Sequence, residues 1–490
     1  MRSSQKGHAT SLAASVSLFV MTALRRLPAL ALLAALLAAV FAHAPAAHAS
    51  TSQEVTFEAP RDLFDPAQRE SAFGEIDALG AHALRIVLYW KDVAPDADSR
   101  VKPKADMTDP SVYDWSRYQP VLDEAKARGW TVQVTASGPV PRWATNGALD
   151  NVTRPSPNEF RMFMTALSKH FGSEVTRWSI WNEPNHPDFL QPQYDSRKRP
   201  ASPKIYRGLY AAALRGLAAA GDTRPVLMGE TAPTGTGKDV APLTFLRGAL
   251  CLSDSYKKVG RCDRLRVDGY AHHAYTNKAG PLYVSPGPNN VMIGTLSRLT
   301  SALDKAAKAG VVKKGLGIYL TEFGIQSVPD PIVGVSLAKQ SDYRSFAERT
   351  AYYNPRVKSF SQYLLRDDLP REGPKEQKYS GFESGLRDAD GKAKPSLDSF
   401  RLPLAAKFTG SSTKVQLWGL ARPAKGVTKV TIQQASNGTS FTTLRTVTTN
   451  SHGYWTSSAT RGTSKRAWRV KWTDPSGKTW TGPATHAMGK

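Results

Sequence analysis

From Val55 onward, short apolar runs alternate along the chain with amphipathic stretches. The runs Glu54–Glu58, Leu84–Tyr89, Thr131–Ala136, Val175–Trp181, Pro225–Gly229, Val267–His272, Leu316–Thr321 and Ser359–Leu364 read as eight strands. Each is short and poor in strict alternation, as parallel strands covered on both faces are. Helical stretches with readable ends lie between them. Asp65-Pro66 opens one, Phe73, Ile76 and Leu79 form its apolar stripe, and Gly80 stops it. Ser156-Pro157-Asn158-Glu159 has the form of a capping box, with Phe160, Phe163, Leu167 and Phe171 following at helical spacing. Ser202-Pro203 opens a third helix that Gly221 closes, and Leu296, Leu299 and Leu303 stripe a fourth. Such stripes pack a core. Strand–helix units repeated over 50–404 predict an α/β fold, a (β/α)8 TIM barrel, in preference to an open doubly wound sheet. No Gly-rich nucleotide fingerprint follows any strand, and no cofactor is expected.

The pattern changes after Pro403. Val415–Leu420, Val427–Gln433, Phe441–Val447, Gly453–Ser457 and Ala467–Trp472 are β-rich runs separated by turn signals such as Asn437-Gly438. They predict a small all-β sandwich over 405–490, read as an accessory domain. Charge sharpens this division. The whole chain carries 65 Lys and Arg against 41 Asp and Glu, a net +24. Residues 405–490 hold thirteen of the basic residues and a single acid, Asp474. A basic face suits a polyanion such as an acidic glycan or a cell-wall polymer. The plainer reading is a solvated basic surface, because the cations form no compact block.

The N-terminus reads as a signal peptide over 1–49. Arg25 and Arg26 precede the apolar run Leu27–Phe41, and Ala47-His48-Ala49 fits the small-x-small cleavage pattern. Ser50 would begin the mature chain, and Met21 is an alternative start. The protein is thus expected to be secreted, with no other segment able to span a bilayer. In an exported chain its two cysteines, Cys251 and Cys262, read as one disulfide pinning a short loop. Export and the lack of a metal-carboxylate cluster argue against a nucleic-acid partner.

The candidate chemistry lies at strand ends. Trp178-Ser179-Ile180-Trp181-Asn182-Glu183-Pro184-Asn185 places Asn-Glu where the fourth strand gives way to a loop. Glu322 ends the seventh strand in Leu320-Thr321-Glu322-Phe323-Gly324. The C-terminal strand ends are where barrel active sites lie. Glycoside hydrolysis needs such a pair: one carboxyl protonates the leaving oxygen and the other, ionised, attacks the anomeric carbon.

On these residues, residues 54–404 resemble the clan of (β/α)8 retaining glycoside hydrolases with acid/base on strand four and nucleophile on strand seven, being most similar to families 39 and 5. The resemblance implies that Glu183 is the acid/base, Glu322 the nucleophile, and Asn182 the residue binding the sugar 2-hydroxyl. Arg85 matches the clan's strand-two arginine, a cation that keeps the nucleophile ionised. His273 and Tyr275 match its His-x-Tyr, the tyrosine bonding the nucleophile and the histidine lining the subsite. Trp143 is a candidate to stack on a sugar face, and Glu230, ending strand five, to help bind substrate. His272 reads as barrel core. With no third ligand beside the two histidines, no metal is expected. One departure stands out. Where many clan members have a strand-eight tryptophan, this chain reads Gln362-Tyr363-Leu364-Leu365-Arg366-Asp367, and Arg366 becomes a candidate contact for an acidic sugar. The reading from another class is a non-catalytic carbohydrate- or cell-wall-binding barrel.

Overall fold

Eight parallel strands pair in chain order and close on themselves: β1 (Glu54–Glu58), β2 (Ala83–Tyr89), β3 (Thr131–Ser137), β4 (Arg177–Ile180), β5 (Val226–Thr231), β6 (Gly269–His273), β7 (Gly317–Glu322) and β8 (Val357–Tyr363). Closure runs from Glu54 opposite Ser359 to Glu58 opposite Tyr363. The computed structural model describes residues 53–410, 413–424 and 426–489; the expected signal peptide lies outside them. All eight predicted strands are present, with ends shifted by up to about two residues, as usual at element boundaries.

A principal helix follows each strand: α1 (Arg69–Ala78), α2 (Gln119–Ala127), α3 (Pro157–Phe171), α4 (Ser202–Ala219), α5 (Pro242–Ala249), α6 (Ser297–Lys308), α7 (Leu337–Tyr352) and α8 (Pro395–Arg401). Phe160, Phe163, Leu167 and Phe171 of α3 are fully buried, as their spacing requires. Two start signals differ in detail. Asp65 caps a turn, accepting from Ala67 N at 2.9 Å, and α1 begins later, at Arg69. Ser156 accepts from Glu159 N at 3.4 Å, but the Glu159 carboxylate turns outward to Lys102 at 2.7 Å instead of completing the box. Cys251 and Cys262 are disulfide-bonded in the segment after α5. Among the described residues no helix is long and apolar enough to cross a membrane.

The C-terminal segment forms two antiparallel sheets, β13-β10-β9 and β12-β11-β14-β15. Their strands are β9 (Leu404–Phe408), β10 (Lys414–Leu420), β11 (Lys429–Ala435), β12 (Thr442–Thr448), β13 (Tyr454–Thr460), β14 (Ala467–Thr473) and β15 (Thr479–Thr481). Strands β9 and β15 carry no clear signal in sequence. The first directly follows Pro403 and the second spans only three residues. Alternation is clean on β14, where Trp468, Val470 and Trp472 face a core shared with Leu417, Ile432 and Trp455.

The sandwich is more than tethered to the barrel. Phe346 and Tyr352 of α7 pack with Trp418, Leu420 and Tyr454 in one apolar cluster. Beside it, Arg422 makes a bidentate buried pair with Glu348 of α7, at 2.7 and 2.8 Å. The arrangement matters because α7 is the helix that follows the strand ending in Glu322.

Candidate active site

Inside the barrel, polar side chains continue the strand-end chemistry inward. Arg85 on β2 is fully buried and organises the centre. Its Nη1 donates to Glu322 Oε1 at 2.5 Å and also to Glu58, while Nη2 donates to Asn182 Oδ1 and Glu230 Oε2, both at 2.6 Å. Glu230 accepts in addition from Gln133 Nε2 at 2.8 Å and Thr135 Oγ1 at 2.9 Å. Gln133 in turn accepts from Arg177 at 3.0 Å, and Arg177 pairs with Glu54. A buried guanidinium is tolerated here because the Glu322 and Glu230 carboxylates hydrogen-bond it directly. Desolvation alone would ease its proton off, yet Glu230, Glu58 and Glu322 drive its pKa well upward, so it stays a cation.

Two register shifts build this geometry. On β5 the pairing with β6 slips between Gly229 and Thr231, so Glu230 is the extra residue and turns toward Arg85. Gly229 sits at φ +114°, and a Cβ there would lie 2.5 Å from Ala271 O, so only glycine fits. Between β6 and β7 a second slip sets His273 opposite Glu322.

The turn after β4 presents Glu183. Trp181 and Glu183 both occupy the left-handed region, at φ 71° and 38°, which costs about 1–3 kcal/mol per residue. Neighbouring strands hold the turn in place. Asn182 N donates to Ser137 Oγ at 3.0 Å, Glu183 N to Glu230 O at 3.0 Å, and Trp181 Nε1 to Phe189 O at 2.9 Å. Glu183 Oε1 then lies 2.8 Å from His273 Nδ1, which is itself 3.5 Å from Glu322 Oε2. One ligand atom from each of Glu183, His273 and Glu322 falls within 4.8 Å of the others. Among the described residues these three form the set whose donors would suit a cation.

Environment separates the carboxyls. Burial by itself would raise Glu322, but His273, Arg85 and the Tyr275 hydroxyl, 3.0 Å away, outweigh it and hold the carboxyl below the usual range. Burial likewise disfavours a charged His273, and Glu322 and Glu183 more than reverse this. Glu58, at the end of β1, carries the strain of the crowding. Burial raises its pKa to about 8, with Arg85 opposing and Glu322 adding to the rise. Two carboxylates on one side of a single guanidinium cannot both ionise cheaply, and Glu58 keeps the proton.

Six of the sequence candidates thus converge: Glu183, Glu322, Asn182, Arg85, His273 and Tyr275. Two stand apart. Glu230 is fully buried behind Arg85, with both carboxylate oxygens engaged, so the expected substrate contact is replaced by a contact to Arg85. Trp143 gives its Nε1–H to Pro95 O at 3.1 Å, packs edge-on to Trp90, and keeps only 9% of its surface exposed. Arg366 is also occupied, donating to Gln68 Oε1 at 2.8 Å. His272 is core: burial lowers its pKa to about 3, and it lies between Thr231 Oγ1 and Val291 O.

The structure adds Glu58 and Tyr363. The Tyr363 ring meets Phe382 edge-on at 4.9 Å and Tyr275 at 6.5 Å, giving the strand-eight end an aromatic residue in place of tryptophan. Its place near the end of the predicted eighth strand was the available signal. Glu58 ended the first predicted strand, the signal that marked Glu183 and Glu322, but its role depends on β1 lying beside β2 after closure.

No protein-family model matches the sequence, and no curated protein matches it. Solved structures share its fold. A monomeric beta-xylosidase from Caulobacter crescentus CB15 aligns over 89% of this chain and 96% of its own, with 14% identity and a TM-score of 0.50. A glucosidase from Croceicoccus marinus aligns over 86% and 95%, with 11% identity and a TM-score of 0.49. At these identities the likeness is one of fold.

Proposed function

We propose that the protein is a secreted, retaining glycoside hydrolase that cleaves O-glycosidic bonds of a poly- or oligosaccharide by double displacement. The observation that carries this reading is the convergence of Glu183 and Glu322 oxygens within 4.8 Å around His273. Retaining enzymes hold their carboxyl groups about 5–5.5 Å apart, whereas inverting ones leave about 6.5–9.5 Å for a water. The approach of one oxygen from each carboxyl, both against His273, favours direct attack by the enzyme.

In the first step a Glu322 oxygen attacks the anomeric carbon as the bond to the leaving oxygen breaks, and Glu183 passes its proton to that oxygen. The product is a glycosyl ester on Glu322. In the second step a water attacks the same carbon, the ester bond breaks, Glu183 takes the water's proton, and Glu322 is released as carboxylate. Arg85 and Tyr275 support the ionised nucleophile between turnovers, and Asn182, held by Arg85, is placed for the sugar 2-hydroxyl. Glu230 acts as a positioning residue through Arg85. Export rests on the N-terminal pattern, and the excess of thirteen basic residues over one acid in 405–490 supports an acidic glycan or wall polymer as partner of the sandwich. A non-catalytic barrel has no need of a nucleophile held ionised by three separate groups.

The test is a screen of aryl glycosides, β-xylosides included, followed by azide rescue. Glu322→Ala should lose activity on all of them and yield an inverted glycosyl azide. Glu183→Ala should lose roughly 10²–10⁴-fold on poor leaving groups and, with activated ones, yield an azide of retained configuration. Exchanged stereochemistry would swap the two roles. A pair of mutants as active as wild type would move the site elsewhere.

A further inference from the structure

Beside the carboxyl cluster lies a cavity of about 460 Å³ whose character differs from that of the catalytic centre. Tyr275 belongs to both. Its hydroxyl is on Glu322 and its ring lines the cavity. The remaining wall is largely apolar, formed by Met292 after β6, Ile325, Ile332 and Val333 after β7, and Phe382 after β8. A volume of this size is in the range of small-ligand sites.

Three residues of the apolar wall, Ile332, Val333 and Phe382, are also exposed. Among the described residues eleven large apolar side chains are exposed, and five of them, Val328, Ile332, Val333, Leu369 and Phe382, sit on the two loops after β7 and β8. Ile332 is 61% exposed and Val333 43%. Scattered exposed apolar residues need no explanation, but their concentration beside a cleft does.

The surroundings also distinguish two sides of the mouth. On the β1–β2 side a much smaller hollow, about 90 Å³, is lined by Glu58, Arg85, Tyr89 and Tyr363 together with Pro60, Leu63 and Phe64. The apolar cavity instead takes in Pro233 and Thr234 after β5, the strand next to β4, whose loop carries Glu183. Asn185 ties those two loops together, accepting from Ala232 N at 2.8 Å and donating to Val240 O at 2.9 Å. The proton donor must face the leaving oxygen, so the leaving group belongs on this side.

We propose that this cavity receives an apolar aglycone, so that the preferred substrate is a glycoside whose leaving group is an alkyl or aryl moiety. The inference rests on the glycosidase reading, and its test separates the two. Binding of n-alkanols from ethanol to octanol, measured by calorimetry on the full-length mature protein, probes the cavity without any sugar. Affinity should rise by about three- to fourfold per methylene until the cavity is filled. The double variant Ile332→Asn, Val333→Asn should flatten that rise, while Val427→Asn, an equally exposed position on the sandwich, should leave it intact. In parallel, kcat/KM is compared for methyl and octyl glycosides of whichever sugar the screen finds, below the micelle concentration. The octyl-to-methyl ratio should exceed ten in wild type and fall at least fivefold in the double variant. Alkanol affinity that is flat with chain length, or a rise unchanged by the double variant, overturns the proposal even if glycosides are cleaved. Chain-length-dependent binding with no glycoside cleaved would leave the cavity assigned and sink the glycosidase reading instead.

Discussion

Tyr275 donates its hydroxyl to Glu322 Oε2 at 3.0 Å. That bond connects the end of β6 to the end of β7 and gives the carboxylate a donor independent of Arg85, which serves Oε1. The two oxygens are therefore held by different strands.

The bond sets a first expectation. Tyr275→Phe keeps the ring and its packing but removes a donor that favours ionised Glu322. The pKa of Glu322 then rises, and the acidic limb of the activity profile moves to higher pH. A hydrogen bond to a charged group contributes about 1.5–3 kcal/mol, so kcat should fall roughly ten- to a hundredfold. Kinetics from pH 4 to 8 on one aryl glycoside would show both effects, and an unmoved limb would separate Tyr275 from the nucleophile.

Glu58 gives a stability signature. Burial pushes its carboxyl up to about 8 in the folded protein, from an ordinary value of 4.5. Between those values the native state binds the extra proton, so the contribution of Glu58 to stability is greatest below about 4.5, declines as pH rises toward 8, and levels off above it. The groups facing Glu58 are Arg85, Glu322 and His273, with Tyr89 and Tyr363 alongside. Glu58→Gln cannot lose a proton, and its urea midpoint should decline less between pH 5 and pH 8.5 than that of wild type. Parallel declines would mean that Glu58 ionises normally.

The barrel–sandwich contact predicts a cost to separation. Arg422→Ala leaves Glu348 buried with only Arg344, 2.6 Å away, and breaking one partner from a buried pair typically costs about 3–5 kcal/mol. Deleting 405–490 adds the exposure of Phe346 and Tyr352. Both proteins should melt well below wild type. Below that temperature the truncated barrel should still cleave a small aryl glycoside, because every converging site residue precedes the cut. A folded truncation with no hydrolysis would make the sandwich part of the site.

The disulfide gives a simpler check. Titration of the unfolded, non-reduced protein should find no free thiol. Replacing both Cys251 and Cys262 by serine should lower stability by up to about 3 kcal/mol, the chain-entropy estimate for so short a loop.

Much was legible from the order of residues alone. Apolar run lengths fixed eight strands, and turn chemistry and charge marked off the sandwich, because local periodicity and local composition are properties of the chain itself. Glu183 and Glu322 were visible as carboxylates at strand ends, where an α/β barrel gathers its chemistry. Tertiary structure decided what each polar residue touches. Glu230 was expected to help bind substrate from the end of strand five, yet a one-residue slip on β5 turns it inward to Arg85, while a slip between β6 and β7 sets Glu322 beside His273. Register shifts of this kind arise from packing between neighbouring strands and leave no periodic trace. Glu58 became part of the centre only when closure brought β1 beside both β2 and β8. Its retained proton is a collective property of several charges sharing one guanidinium, and no single stretch of chain encodes it.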